Sequence, residues 1–262
     1  MKDVKYKAVA LDLDGTLLDS QGDVSEKNKN KIQALSDAGV IVILATGRYY
    51  VQMSSVLNRL NFTGILISTD GAVTIDVNQK KVLRDYSFHI HDVEETIRLC
   101  REREIHVAVN TAFHYYVESI SDFHQEHYQK YSTKYANIPD LLEIKEPILK
   151  FVVSDHRFMN GWQHVEYGEH LRKRADAEHY KEIVHQNTCK TNAIRDVLNQ
   201  YQIPPEELIA IGDYYNDIDM LEFAGMGIAM GNAPDEVKRI ANDVALTNDE
   251  DGVCYALEKY FF

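Results

Sequence analysis

The sequence predicts an α/β protein: a Rossmann-like parallel-sheet core interrupted by an inserted α+β segment. Three observations predict it. Apolar runs without polar alternation recur at Ala8–Leu11, Val40–Ala45 and Leu208–Ile211, the mark of strands buried on both faces of a parallel sheet. Each run ends in a polar cluster and is followed by a helical pattern. Finally, all eleven histidines lie between His89 and His185, as does Trp162, the only tryptophan. So sharp a compositional shift marks an insertion with its own surface, which divides the chain into a core of residues 1–82 and 186–262 around an insert of residues 83–185.

Taken in order, Ala8–Leu11 is the first strand, and Asp12 and Asp14 stand where it gives out. Ser25 opens a helix with Ile32, Leu35 and Ala38 on one face, closing at Gly39 in the manner of a helix with a glycine after its last turn. Val40–Ala45 follows as a strand, ends in Thr46-Gly47-Arg48, and leads into a helix through Val51, Val56 and Leu60. Gly64–Thr69 is a third strand, ending at Asp70-Gly71-Ala72, and Val73–Asp85 reads as a hairpin about a polar Asn-Gln-Lys-Lys turn.

The pattern then changes. His91–Glu104 is an amphipathic helix, His106–Asn110 and His114–Glu118 alternate like half-exposed strands, and Asp122–Tyr131 is helical. Pro147–Ser154 reads as strand, Gly161–Ala175 as helix and Glu182–His185 as strand. Mixed elements of this kind suit a small sheet with helices on its face. The strand–helix rhythm returns with the helix Thr188–Tyr201, the strand Leu208–Ile211, a helix from Asp217 to Phe223, the strand Gly227–Gly231, and helices at Asp235–Ala241 and Gly252–Phe262.

Composition narrows the function classes. A net charge of −13 over 262 residues argues against a nucleic-acid or anionic-membrane surface. No apolar run approaches the roughly 18 residues that span a bilayer, and the amino-terminal stretch is too acidic for a signal peptide. Cys100, Cys189 and Cys254 form no Cys-x-x-Cys pair, which fits a reducing cytoplasm.

The chemistry begins at Asp12 and Asp14. In an extended segment residues two apart point the same way, and Gly15 lets the chain turn just beyond them. Two carboxylates this close are kept either around a cation or with one protonated. A Mg²⁺ ion meets the first condition, and a nucleophile beside a general acid meets the second. Thr46-Gly47 at a helix start can hold an anion through a hydroxyl and free N–H groups, Lys190 adds positive charge, and Asp213, Asn216 and Asp217 supply further oxygens. Each cluster alone has an ordinary alternative: a solvated corner, a turn, a surface lysine, a helix cap. Together they match what phosphoryl transfer requires, at the strand ends where open α/β sheets bind ligands.

The string DLDGTLLD around Asp12 and Asp14, ATGR at Thr46-Gly47, the Lys190 region, IAIGDYYNDIDML, GIAMGNA and TNDEDGV together resemble the haloacid dehalogenase-like hydrolases over the full chain, and in particular the Cof-like branch with a type IIB cap. The resemblance implies that Asp12 is a nucleophile that becomes phosphorylated and Asp14 the general acid/base. It implies that Asp12, the backbone carbonyl of Asp14, and Asp213 hold Mg²⁺. Thr46, Gly47 and Lys190 would bind the transferring phosphoryl group, with Asn216 and Asp217 as orienting neighbours. The insert 83–185 would be the cap that closes over the site and reads the leaving group.

The expected activity is therefore Mg²⁺-dependent hydrolysis of a small phosphorylated metabolite through an aspartyl-phosphate, by a cytoplasmic monomer or homodimer. A phosphotransferase or mutase of the same chemistry and a non-catalytic phospho-ligand-binding regulator are the rivals. His114, Tyr115, Tyr116 and Trp162 are candidates for the inner face of the cap, with cap core as the commoner fate of such aromatic residues. Two departures from the branch stand out. Asp70 replaces its usual Asn, where a carboxylate would repel a phosphate dianion unless protonated, turned away or paired. His185–Cys189, the approach to Lys190, lacks the customary glycine.

Overall fold

Four apolar side chains, Ala8–Leu11, form strand β1, and all four are buried. That burial on both faces is what the unbroken apolar run requires. In the computed structural model of the chain, which describes residues 5–130, 133–157, 167–176 and 180–262, β1 lies inside an eight-stranded sheet. Helix α1, Glu26–Asp37, follows, with the Ser25 hydroxyl accepting from the Asn28 N–H at 3.1 Å. Then come β2 (Ile41–Ala45), α2 (Tyr50–Leu60), β3 (Ile65–Ser68), β4 (Val73–Asp76) and β5 (Lys81–Asp85).

The chain next forms α3 (Glu94–Glu102), β6 (His106–Asn110), β7 (Tyr115–Val117), α4 (Asp122–Lys130), β8 (Ala136–Asn137), β9 (Lys150–Ser154), β10 (Leu171–Asp176) and β11 (Tyr180–His185). It returns to the large sheet through α5 (Lys190–Tyr201), β12 (Leu208–Gly212), α6 (Ile218–Phe223), β13 (Met226–Ala229), α7 (Asp235–Ile240), β14 (Asp243–Val244) and α8 (Gly252–Phe261).

Two compact units result. The first comprises Met1–Gly47, Ser55–Arg84 and Cys189–Phe262; the second comprises Arg48–Ser54 and Asp85–Thr188. In the first, the strand order is β14-β13-β12-β1-β2-β3-β4-β5. The pairs from β14 through β3 are parallel, and β4 runs antiparallel to β3. From β1 the chain adds strands on one side, then comes back to add β12, β13 and β14 on the other. The order therefore reverses at β1 and β12, the topological switch point beyond whose carboxyl ends ligands bind. One face of this sheet is closed by Ile194, Val197 and Leu198 of α5 and Met220 and Leu221 of α6, packed on Ala8, Ala10, Ile43 and Ala210.

The second unit carries a six-stranded sheet, β10-β11-β9-β6-β7-β8, antiparallel except between β7 and β8. Period-two alternation sends Val107, Val109, Phe151, Val153 and Ile183 to one face, under Ile97 and Cys100 of α3. Ala108, Tyr115, Val117 and Val152 take the other face, with Tyr128 of α4 and Tyr49.

The structure corrects one element. A helix was expected over Gly161–Ala175, yet Leu171–Asp176 is strand β10, paired antiparallel with β11. Leu171 enters the apolar core while Arg174 Nη1 donates to Glu182 Oε2 across the strands at 2.6 Å. Cross-strand partners thus override a local pattern that is compatible with helix. Residues 161–166 of that expected helix, including Trp162, lie outside the described residues, and residues 167–170 are not helical.

Candidate active site

Asp12 sits one residue past β1, is 6% exposed, and continues the parallel ladder by donating its N–H to the Ile211 carbonyl at 3.0 Å. Asp213 sits one residue past β12. The register Leu11↔Ile211 between the two strands places these carboxylates at the same end of the sheet. On the other side of β1, Leu11 pairs with Leu44, so Thr46 of β2's terminal loop falls at that end as well. Thr46 is buried, and its carbonyl accepts the Asp70 N–H at 2.9 Å.

Lys190 is the first residue of α5 and is buried. Its Nζ donates to Asp12 Oδ1 at 2.5 Å and to Asp217 Oδ1 at 2.7 Å. Asp217, fully buried, has its other oxygen held by the N–H groups of Asp213 and Tyr214 at 3.0 and 3.2 Å. Asp213 Oδ1 accepts from the Thr16 hydroxyl at 3.0 Å. One ammonium is thus shared by two carboxylates, with a third beside them.

The electrostatics follow from that count. Burial pushes the Asp12 carboxyl up to about 7 and outweighs Lys190, which pulls it down, while Asp217 and Asp213 push it further up. Burial also raises Asp213, helped by Asp217 and opposed by the Thr16 hydrogen bond. Lys190 would be lowered by burial, but Asp12 and Asp217 more than compensate and hold it as an ammonium. The cluster therefore lacks positive charge. Asp12, Asp213 and Asp217 each present an oxygen within 4.8 Å of the others. Three carboxylates against one ammonium, all oxygen donors, fit a hard divalent cation, which would keep Asp12 ionised at neutral pH.

Glycines make the close approaches. Gly15 has φ +80°, and a Cβ there would lie 2.3 Å from Asp213 Oδ2. Gly71 has φ +98°, and a Cβ there would lie 2.2 Å from the Cys189 carbonyl, which is how the start of α5 comes against the loop after β3.

The structure brings Asp12, Asp213, Asp217 and Lys190 into one buried group. Asp14 stands exposed just outside it, and Asn216 is exposed in the turn Tyr215–Asp217. Asp70 is buried against Gly47, where a Cβ would meet its Oδ1 at 3.0 Å. Three supporting residues were not singled out from the sequence. Thr16 holds Asp213; Asn232 Nδ2 donates to the Gly15 carbonyl at 2.8 Å, and Asn248 Nδ2 to the Leu18 carbonyl at 2.9 Å. Both asparagines fix the loop after β1, and their strings GNA and TND gave the only signal.

Comparison with known proteins gives the family. A profile described as haloacid dehalogenase-like hydrolase matches residues 9–257. A Bacillus subtilis protein named 5-amino-6-(5-phospho-D-ribitylamino)uracil phosphatase YitU is 32% identical, with 99% of each chain covered. Phosphatase YwpJ, also from Bacillus subtilis, is 30% identical over 96% of this chain and 99% of its own. A crystal structure of a haloacid dehalogenase-like hydrolase from Bacteroides thetaiotaomicron superposes with a TM-score of 0.83 at 28% identity, covering 98% of this chain and 100% of that one. With its parallel sheet, its acids at the switch point and a match along nearly its whole length, the chain belongs to the haloacid dehalogenase-like hydrolases.

Proposed function

We propose that this enzyme is a Mg²⁺-dependent phosphoric monoester hydrolase that works through a phosphorylated Asp12. The observation that carries the proposal is Lys190 Nζ gripping Asp12 Oδ1 at 2.5 Å beside Asp213 and Asp217 at the switch point. Asp12 attacks phosphorus through the oxygen that Lys190 does not hold. The bond from phosphorus to the ester oxygen breaks, and Asp14, exposed beyond the buried group, protonates the departing alkoxide. Asp14 then takes a proton from water, which attacks the acyl-phosphate, freeing inorganic phosphate and restoring the Asp12 carboxylate.

Lys190 and the Thr46-Gly47 loop balance charge on the transferring group. Asp12, Asp213 and the Asp14 carbonyl would hold Mg²⁺, which supplies Lewis-acid stabilisation of the phosphoryl oxygens when bound. Residues 83–185 act as the cap that selects the leaving group. Relatives named as phosphatases, one for a phosphorylated ribitylaminouracil, support a small phosphorylated metabolite as substrate. A phosphotransferase would keep the same first step and pass the group to an acceptor other than water. Phosphate release across a panel of phosphorylated metabolites, compared between the wild type and Asp12→Asn, tests the proposal: hydrolysis abolished by the substitution supports it, and survival of more than a few per cent refutes it.

A further inference from the structure

The second unit holds a small polar cavity of about 60 Å³, whose lining includes Glu104, His106, Ser121, His124, Asp155 and His156. A single water needs roughly 10–15 Å³, so an ion with water beside it has room. The sheet register builds the place. His106 opens β6 opposite Ser154, the last residue of β9, and Asp155 and His156 follow directly. From α4, His124 brings Nε2 within 3.1 Å of the Ser154 hydroxyl.

Asp155 is the anomaly in this wall. It is 2% exposed, and its Oδ1 accepts the Arg157 backbone N–H at 3.0 Å and the Arg157 Nε–H at 3.1 Å. Its other oxygen, Oδ2, is buried with no hydrogen-bond partner. A buried carboxylate oxygen without a partner is costly, and it calls for a water or an ion.

Charge favours a cation. Asp155 and Glu104 share one guanidinium, with Arg157 Nε 3.1 Å from the first and Nη1 3.7 Å from the second. Burial, followed by the neighbouring His156 and His127, holds the His124 imidazole down to about 4, so it is neutral near pH 7. Two carboxylates against one guanidinium leave an excess of negative charge.

The donor atoms narrow the kind of cation. His106 is already engaged, with Nδ1 3.0 Å from the Ser119 carbonyl and Nε2 2.7 Å from the Tyr128 hydroxyl. His124 has hydroxyl partners on both sides, Ser121 at 2.8 Å and Ser154 at 3.1 Å, and a hydroxyl donates or accepts as required. One nitrogen can keep its proton on a serine while the other offers a lone pair to a metal, as ligating histidines do. The exposed His156 ring stacks on Phe123 at 4.8 Å. Neutral imidazole beside carboxylate suits zinc and its neighbours better than Mg²⁺.

Helix α4 shows what such an ion would do. Of its nine residues only His124 and Tyr128 are buried, and short helices depend on packing for their stability. An ion shared by His124 and Asp155 fastens α4 to the end of β9.

We propose that Asp155, His124 and His156 form a site for a divalent transition-metal ion of the zinc class, with Glu104 at its rim, and that the ion clamps α4 to the end of β9. Among the described residues only Asp12, Asp213 and Asp217 hold three ligand atoms within 4.8 Å of one another, so here the ion must draw the exposed His156 ring inward. The site stands apart from the phosphatase reading and does not rest on it.

Calorimetric titration of Zn²⁺ into the full-length protein in excess Mg²⁺ tests the site. Saturable binding is expected, weakened at least tenfold by Asp155→Asn and by His156→Ala. It should survive Asp213→Asn, and also His91→Ala, which removes the surface pair with Glu94. Circular dichroism verifies that each variant is folded, and His156→Ala, which alters an exposed ring, carries the test if Asp155→Asn is not. Absence of saturable binding, binding unchanged in folded His156→Ala, or binding lost in Asp213→Asn or His91→Ala overturns the site. Amide hydrogen exchange read by mass spectrometry tests the clamp. Zn²⁺ is expected to slow exchange across residues 122–130 in the wild type and not in His156→Ala; binding with no slowing there overturns the clamp.

Discussion

Lys190 Nζ lies 2.5 Å from Asp12 Oδ1, although 178 residues separate the two in the chain. The return of the chain to the far side of β1 makes this pair, and Asp217 completes it at 2.7 Å. Removing the ammonium leaves two buried carboxylates facing each other. Lys190→Met is therefore expected to destabilise the first unit by about 3–5 kcal/mol, as breaking a buried pair does, and to abolish phosphate release. Urea unfolding alongside a phosphate assay checks both. A variant with unchanged unfolding midpoint and residual activity above a few per cent would show that the pair does neither job.

Gly15 tests the metal geometry. With φ +80° and an implied Cβ 2.3 Å from Asp213 Oδ2, Gly15→Ala must move either the loop or the carboxylate. The expected result is a Mg²⁺ requirement raised tenfold or more, with partial rescue at high Mg²⁺. Activity measured against Mg²⁺ concentration decides it, and an unshifted midpoint contradicts a metal role for Asp213.

Metal removal gives a direct readout. The acid group carries three carboxylates and one ammonium, so chelation is expected to stop turnover and Mg²⁺ to restore it. Ca²⁺, with a larger and more variable oxygen shell, is expected to inhibit. Equal phosphate release with Ca²⁺ in place of Mg²⁺ counts against a small octahedral site.

The second unit carries an acid-sensitive pair. His106 and His124 stack at 4.0 Å between centroids, and burial holds them down to about 3 and about 4. The Ser119 carbonyl and Tyr128 hydroxyl contact His106; Ser121, Ser154 and the rings of Phe123 and His156 surround His124. Because both folded-state values lie below the unfolded one of about 6.5, the unfolded chain binds more protons as pH falls. Stability is then full above roughly pH 6.5 and declines towards pH 4. A steeper loss of the unfolding midpoint between pH 7 and 5 in the wild type than in a His106→Asn/His124→Asn double variant is expected. Parallel pH profiles would show that the two rings contribute nothing to it.

Much of this was legible in the sequence, for physical reasons. Ala8–Leu11 and Leu208–Gly212 read as buried strands because parallel strands need no polar alternation. Asp12, Asp213 and Lys190 were recognisable because each sits at an element's end, where chemistry-bearing residues gather. Less legible was what depends on neighbours remote in the chain. Nothing local tells that Asp217, rather than the side chain of Asp14, joins the buried acids; that follows from its bonds to Lys190 and to the N–H groups of Asp213 and Tyr214. Nor does Leu171–Asp176 declare itself a strand until Tyr180–His185 pairs with it. Asn232 and Asn248 act on the loop after β1 from more than two hundred residues away.

The central claim is that Asp12 carries the phosphoryl group. Acid quenching of the enzyme during turnover with a reactive substrate, followed by borohydride reduction and peptide mass spectrometry, addresses it directly. An acyl-phosphate at residue 12 is reduced to homoserine, so the account predicts homoserine at that position alone, dependent on Mg²⁺ and absent without substrate. Full turnover with no modification at position 12, or with modification at another carboxylate, would contradict it.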